Sequence, residues 1–181
     1  MRQNMPISVI GDAVKDHFFR PELLKRVGAI APRGLMCEGW FKAELVYLFS
    51  EMEKMGTTKS WESECSVVGK GRIDFRLRLL EEETVVIELM PAPTRNKNGT
   101  PYRLTGYDHP NCDGEISKML AVQANSHYLL LFAYPAPPAN DWNVLAKRIE
   151  GRCAGYTVTV SRVDESPELS IGWLLATEIP R

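Results

Sequence analysis

The sequence predicts an α/β fold, a central mixed sheet flanked by helices. Three observations predict it. Between residues 71 and 79 the chain alternates strictly, with Ile73, Phe75, Leu77 and Leu79 on one face and Arg72, Asp74, Arg76 and Arg78 on the other. That is the period of a half-buried strand. His127 to Tyr134 (HYLLLFAY) is apolar throughout, the mark of a central strand covered on both faces. Long stretches of helical spacing precede and separate these runs.

Composition agrees with an ordinary globular chain: 181 residues, 44% hydrophobic and 25% charged. This length suits one domain with a full core. A formal net charge of -1 excludes a global basic field, so any nucleic-acid binding must rest on a local patch. Cys37, Cys65, Cys112 and Cys153 show no paired CxxC spacing, so reduced thiols in a cytoplasmic protein are expected. Met5 to Ile10 is too short and polar for a secretory segment, and no stretch is long enough to span a membrane.

Taken in order, residues 1–36 form a helical preface. Ile10, Val14, His17 and Phe18 have helical spacing, and Pro21 opens a second short helix to Val27. Cys37 to Met55 reads as a longer helix ended by Gly56. Within it Glu44 sits among apolar residues, either on the polar stripe or as a functional acid. Trp61 to Val68 is the first expected strand. Gly69-Lys70-Gly71 reads as a hairpin turn, since no helix follows it to make a phosphate cradle. Val85 to Met90 is the third strand, reached through the solvated Glu81-Glu82-Glu83 connection.

Pro91 to Asn111 reads as a long loop carrying Arg95, Lys97, Tyr102, Arg103, Tyr107 and His109. Basic and aromatic residues interleaved this way suit a nucleic-acid strand, and a merely solvated loop has the same composition. Asp113 to Ala124 reads as a helix with Asp113 as N-cap. After the buried strand, residues 135–181 supply a helix from Asp141 to Ile149 and strands at Tyr156 to Val163 and Leu169 to Thr177. His109 and Cys112 have the spacing of half a zinc site, with no second half.

The acids of the second and third strands are the residues to explain. If these strands are neighbours, Asp74 and Glu88 share a face near mid-sheet. A buried carboxylate is costly, so the pair implies a cation, a basic partner or water. Hard oxygen donors of this kind suit Mg²⁺ or Mn²⁺ better than zinc. Arg76 and Arg78 can contact phosphates or pair with the glutamate turn.

Glu44 on a long helix, Gly71-Arg72-Ile73-Asp74, Glu88-x-Met90, then a helix and an apolar strand resemble the PD-(D/E)xK nuclease superfamily. The resemblance covers residues 37–134 and implies a restriction-endonuclease-like αβββαβ core. It further implies a metal-dependent nuclease acting on DNA, with Asp74, Glu88 and Glu44 as the Mg²⁺ (or Mn²⁺) ligands. Arg72, Arg76, Arg95, Lys97 and Arg103 become candidate nucleic-acid contacts, and a homodimer fits the cutting of two strands. The chain departs from the motif at Met90, where the family pattern has a lysine. Methionine supplies neither the charge nor the donors. Either another cation replaces it, with Lys118 favoured over Lys70 and Arg72, or the fold binds nucleic acid or protein without cutting.

Overall fold

Six extended segments, of which β4 is an unbroken apolar run, build one six-stranded mixed sheet in the spatial order β1-β2-β3-β4-β6-β5. In the computed structural model, residues 5–33, 37–67, 69, 71–94, 110–151, 153, 156–163 and 165–178 are described. Helices α1 (Met5–Phe18), α2 (Pro21–Ile30) and α3 (Glu38–Lys54) precede strands β1 (Thr58–Val67), β2 (Gly71–Leu79) and β3 (Thr84–Pro93). Helix α4 (Pro110–Leu120), strand β4 (Ser126–Tyr134), helix α5 (Ala139–Glu150) and strands β5 (Tyr156–Val163) and β6 (Ser170–Glu178) follow. The pairs β1–β2, β2–β3, β4–β6 and β5–β6 are antiparallel, and β3–β4 is parallel. A parallel neighbour requires a crossover, which α4 provides.

Both faces of the sheet are covered. Phe41, Leu45 and Phe49 of α3, with Val14 and Phe18 of α1, pack on Phe75, Leu77, Ile87, Leu130 and Phe132. On the other face Ile116 and Met119 of α4 and Trp142 of α5 pack on Val86, Leu129 and Leu131. Every residue of β4 is buried, as its unbroken apolar run requires.

Two expectations about the elements change. Helix α4 begins at Pro110, so Asp113 lies inside its first turn and is not the N-cap. Proline suits a first helical position because its missing N–H has no intrahelical partner there. Strand β3 runs on to Pro93, into the segment read as loop. Pairing with β4 continues through Pro91↔Phe132 and Pro93↔Tyr134, whereas pairing with β2 stops at Phe75↔Ile87. The Leu89 N–H is directed to the β2 side, where it meets Asp74. The nitrogens two and four residues on, Pro91 and Pro93, face that way too, so they remove no bond from the β4 ladder. They do prevent re-pairing with β2. The sheet therefore forks between β2 and β3, beginning at Asp74.

Candidate functional site

Strand β2 changes faces at the fork. Phe75 and Leu77 lie in the α3-side core, while Ile73 lies in the α4-side core. Strand β1 does the same: Trp61 packs on the first core and Cys65 belongs to the second. The turnover falls at Glu64, which has φ 55° and lies between the paired rungs Ser63↔Phe75 and Cys65↔Ile73, hence opposite Asp74. A left-handed residue is uncommon outside glycine, and here it rotates the strand. Ile73, Asp74 and Phe75 are consequently all buried, breaking the strict alternation expected of this strand.

Asp74 (7% exposed) and Glu88 (1% exposed) are the buried acids at the fork. Extending the Phe75↔Ile87 register by one residue sets them opposite each other. Their basic partners come from helices on opposite sides of the sheet. Asp74 Oδ2 accepts the Leu89 N–H at 2.7 Å, and its Oδ1 lies 2.7 Å from Lys42 Nζ of α3. Glu88 Oε1 lies 3.1 Å from Lys118 Nζ of α4. Each costly buried charge thus has an opposite charge delivered by a helix.

Lys42 was not singled out by its sequence context, yet three acids surround it. Its ammonium is 2.5 Å from Glu64 Oε1 and 3.6 Å from Glu38 Oε1 as well as close to Asp74. Burial pulls the Lys42 pKa down, but hydrogen bonds and charge from Asp74 and Glu64 outweigh it and hold the pKa well above the ordinary lysine value. The i,i+4 spacing from Glu38 was the available sequence signal for this face of α3.

Glu44 occupies a different place. Its Oε2 is 3.1 Å from His17 Nε2 of α1 and its Oε1 is 3.3 Å from Arg26 of α2. At about 100° per residue, Glu44 points roughly 200° around the helix from Lys42, so it clasps the helical preface to α3 and lies off the Asp74 side.

The basic candidates divide. Arg76 pairs with Glu62 of β1 at 2.8 Å, not with the glutamate turn, where Lys59 engages Glu82. Arg76 and Arg78 line a groove of about 280 Å³ with Ser60, Trp61, Glu62, Leu77 and Thr84. Because Arg76 is paired with Val86, this groove opens on the sheet face that carries Glu88. Arg72 is exposed and, adjacent to the turned-over Ile73, leaves that face. Lys70, Arg95, Lys97, Arg103 and His109 lie outside the described residues, as does the Cys112 side chain. Met90 packs against the α4-side core. Burial, with a smaller push from Glu62, raises the Cys65 thiol to about 11, and burial also raises Cys37 and Cys153, so none of these is an activated nucleophile.

Among the described residues no group of three or more His, Cys, Asp or Glu side chains is arranged to hold a metal ion; the three acids around Lys42 are gathered on its ammonium. Two carboxylates are nevertheless a sufficient protein contribution for Mg²⁺, which ordinarily completes its shell with water and substrate phosphate oxygens. Asp74 and Glu88 fit that donor chemistry; Glu44 does not take part. No helix among the described residues is long and apolar enough to cross a membrane. Compared with models of known protein families, with curated proteins and with solved structures, the chain matches none.

Proposed function

We propose that this chain is a Mg²⁺- or Mn²⁺-dependent nuclease of restriction-endonuclease-like architecture that hydrolyses phosphodiester bonds in DNA. The observation that carries the reading is the Lys118 ammonium 3.1 Å from Glu88 Oε1, a cation brought by α4 to the acid whose motif lysine is replaced by Met90. The order α3-β1-β2-β3-α4-β4, with β3 and β4 parallel, supports it.

In this mechanism Asp74 and Glu88 would hold the ion, which would polarise a phosphoryl oxygen and acidify a water. Lys118 lies beside Glu88 to orient the attacking water and to offset charge developing on the phosphate. Arg76 and Arg78, in the groove on the Glu88 side, contact neighbouring phosphates. A homodimer would cut both strands of a duplex.

One observation favours a second reading, a silent member of the fold that binds nucleic acid or protein. Lys42 already neutralises Asp74. Calorimetric titration of Mn²⁺, beside assays of duplex and single-stranded DNA cleavage, separates the two. Millimolar or tighter binding lost in both Asp74→Ala and Glu88→Ala, with metal-dependent cleavage lost in Lys118→Met, is the expected result. Absence of Mn²⁺ binding with and without DNA would overturn the nuclease reading and leave the binding-module one to be tested.

A further inference from the structure

The geometry points to Lys42 as a resident cation on Asp74, one that a divalent ion must displace before that carboxylate can ligate it. This inference rests on the metal-binding reading above and concerns what controls occupancy.

Asp74 has two oxygens to offer. Oδ2 is committed to the Leu89 N–H at 2.7 Å, a bond that also keeps the forked strands in place. Oδ1 is therefore the oxygen left for an outside cation, and Lys42 holds it at 2.7 Å. An ammonium and a divalent ion repel one another at such range, so both cannot use Oδ1 together.

Lys42 has somewhere to go. Glu64 at 2.5 Å and Glu38 at 3.6 Å already share its charge, and their side chains are 44% and 52% exposed. Leaving Asp74 takes the ammonium toward these rim acids without stranding it unpaired. Lysine suits the move, being a flexible point charge, whereas a guanidinium fork fixes its partners in a plane. Lys42 thus has two sets of partners, and the ion selects between them. In the absence of metal the lysine keeps Asp74 neutralised and buried; in its presence the lysine moves to the rim. The arrangement sets a threshold concentration for loading.

The test is Mn²⁺ titration into wild-type protein, Lys42→Met, Lys42→Met/Asp74→Asn and Lys42→Met/Glu64→Gln. Removing the competitor should tighten binding on the order of tenfold, the equivalent of one modest ion pair. The Asp74→Asn addition should erase that gain. Adding Glu64→Gln to Lys42→Met should change little, because Glu64 acts through Lys42 and not on the ion. Losing Lys42 also uncovers a buried carboxylate, so thermal melts with and without Mn²⁺ provide a second readout: Tm should rise more in Lys42→Met than in wild type. Equal or weaker binding in Lys42→Met, with wild-type binding still lost in Asp74→Ala, would overturn the inference and leave the metal site standing. Absence of Mn²⁺ binding in every protein would overturn both.

Discussion

Asp74 Oδ2 accepts the Leu89 backbone N–H at 2.7 Å, a side chain taking the rung that backbone pairing between β2 and β3 leaves open. The same carboxylate neutralises Lys42, so it joins α3, β2 and β3 at once. Asp74→Ala leaves a buried N–H unpaired and takes from the Lys42 ammonium one of its three carboxylate partners. The expected loss of stability in urea is about 1–3 kcal/mol. Amide exchange at Leu89 should accelerate more than at Ile87, whose residue retains its β2 pairing. Asp74→Asn preserves an acceptor for Leu89 and should lose less.

Glu88 and Lys118 form the second buried pair, and their coupling can be isolated. In a double-mutant cycle of Glu88→Gln and Lys118→Met, followed by denaturant melts, each single change should cost more than its share of the double change. The interaction energy should fall within about 0.5–3 kcal/mol. An additive cycle would show that Lys118 spends its time away from Glu88 and would remove the cation from the proposed mechanism.

On the far side of the sheet, Gly172 of β6 is held to glycine by close approach. A Cβ there would clash with the ring of Trp142 of α5, which is buried, with Arg162 5.6 Å over its ring. The indole must therefore move. Gly172→Ala should destabilise the protein by about 1–3 kcal/mol through overpacking, measured as a lower midpoint in urea. Trp142→Leu added to it should recover part of the loss, since the smaller side chain vacates the space.

Much of the architecture was legible because its strands advertise themselves. The apolar run at His127–Tyr134 demanded a doubly covered strand, and β4 is buried along its whole length. Asp74 and Glu88 stood out as acids in apolar or basic runs, and both are buried. The site's finer geometry was not legible. Strict alternation does not hold through β2, because one left-handed residue, Glu64, turns β1 and β2 over beside Asp74. The segment from Pro91 read as a loop, but β3 runs on through Pro91 and Pro93, whose nitrogens face the open fork and cost the β4 ladder no bond. On α3 the helical pattern drew attention to Glu44 and passed over Lys42. Both flank the apolar stripe, and only the packing of α1 and α2 on one flank and of β1 and β2 on the other assigns their partners.

That assignment gives Glu44 a consequence of its own. His17 is 2% exposed, with Nε2 3.1 Å from Glu44 Oε2. Burial lowers the His17 pKa below its ordinary 6.5, and Arg20 adds to the effect. The Glu44 hydrogen bond and the charges of Glu44 and Glu22 oppose it without reversing it. The unfolded chain therefore binds the imidazole proton more readily than the folded one, and stability must rise with pH through this window. The contribution is complete above 6.5 and is lost as pH falls through the lower folded value. One such group gives a slope of at most about 1.4 kcal/mol per pH unit. Urea melts between pH 7.5 and 5, spanning roughly one unit or more on either side of an ordinary histidine, should show wild-type stability falling with acid. His17→Gln, which keeps a donor for Glu44 without a titrating proton, should fall less steeply. Parallel curves for the two proteins would show that His17 binds protons equally well folded and unfolded, and that the α1–α3 clasp does not depend on its neutral form.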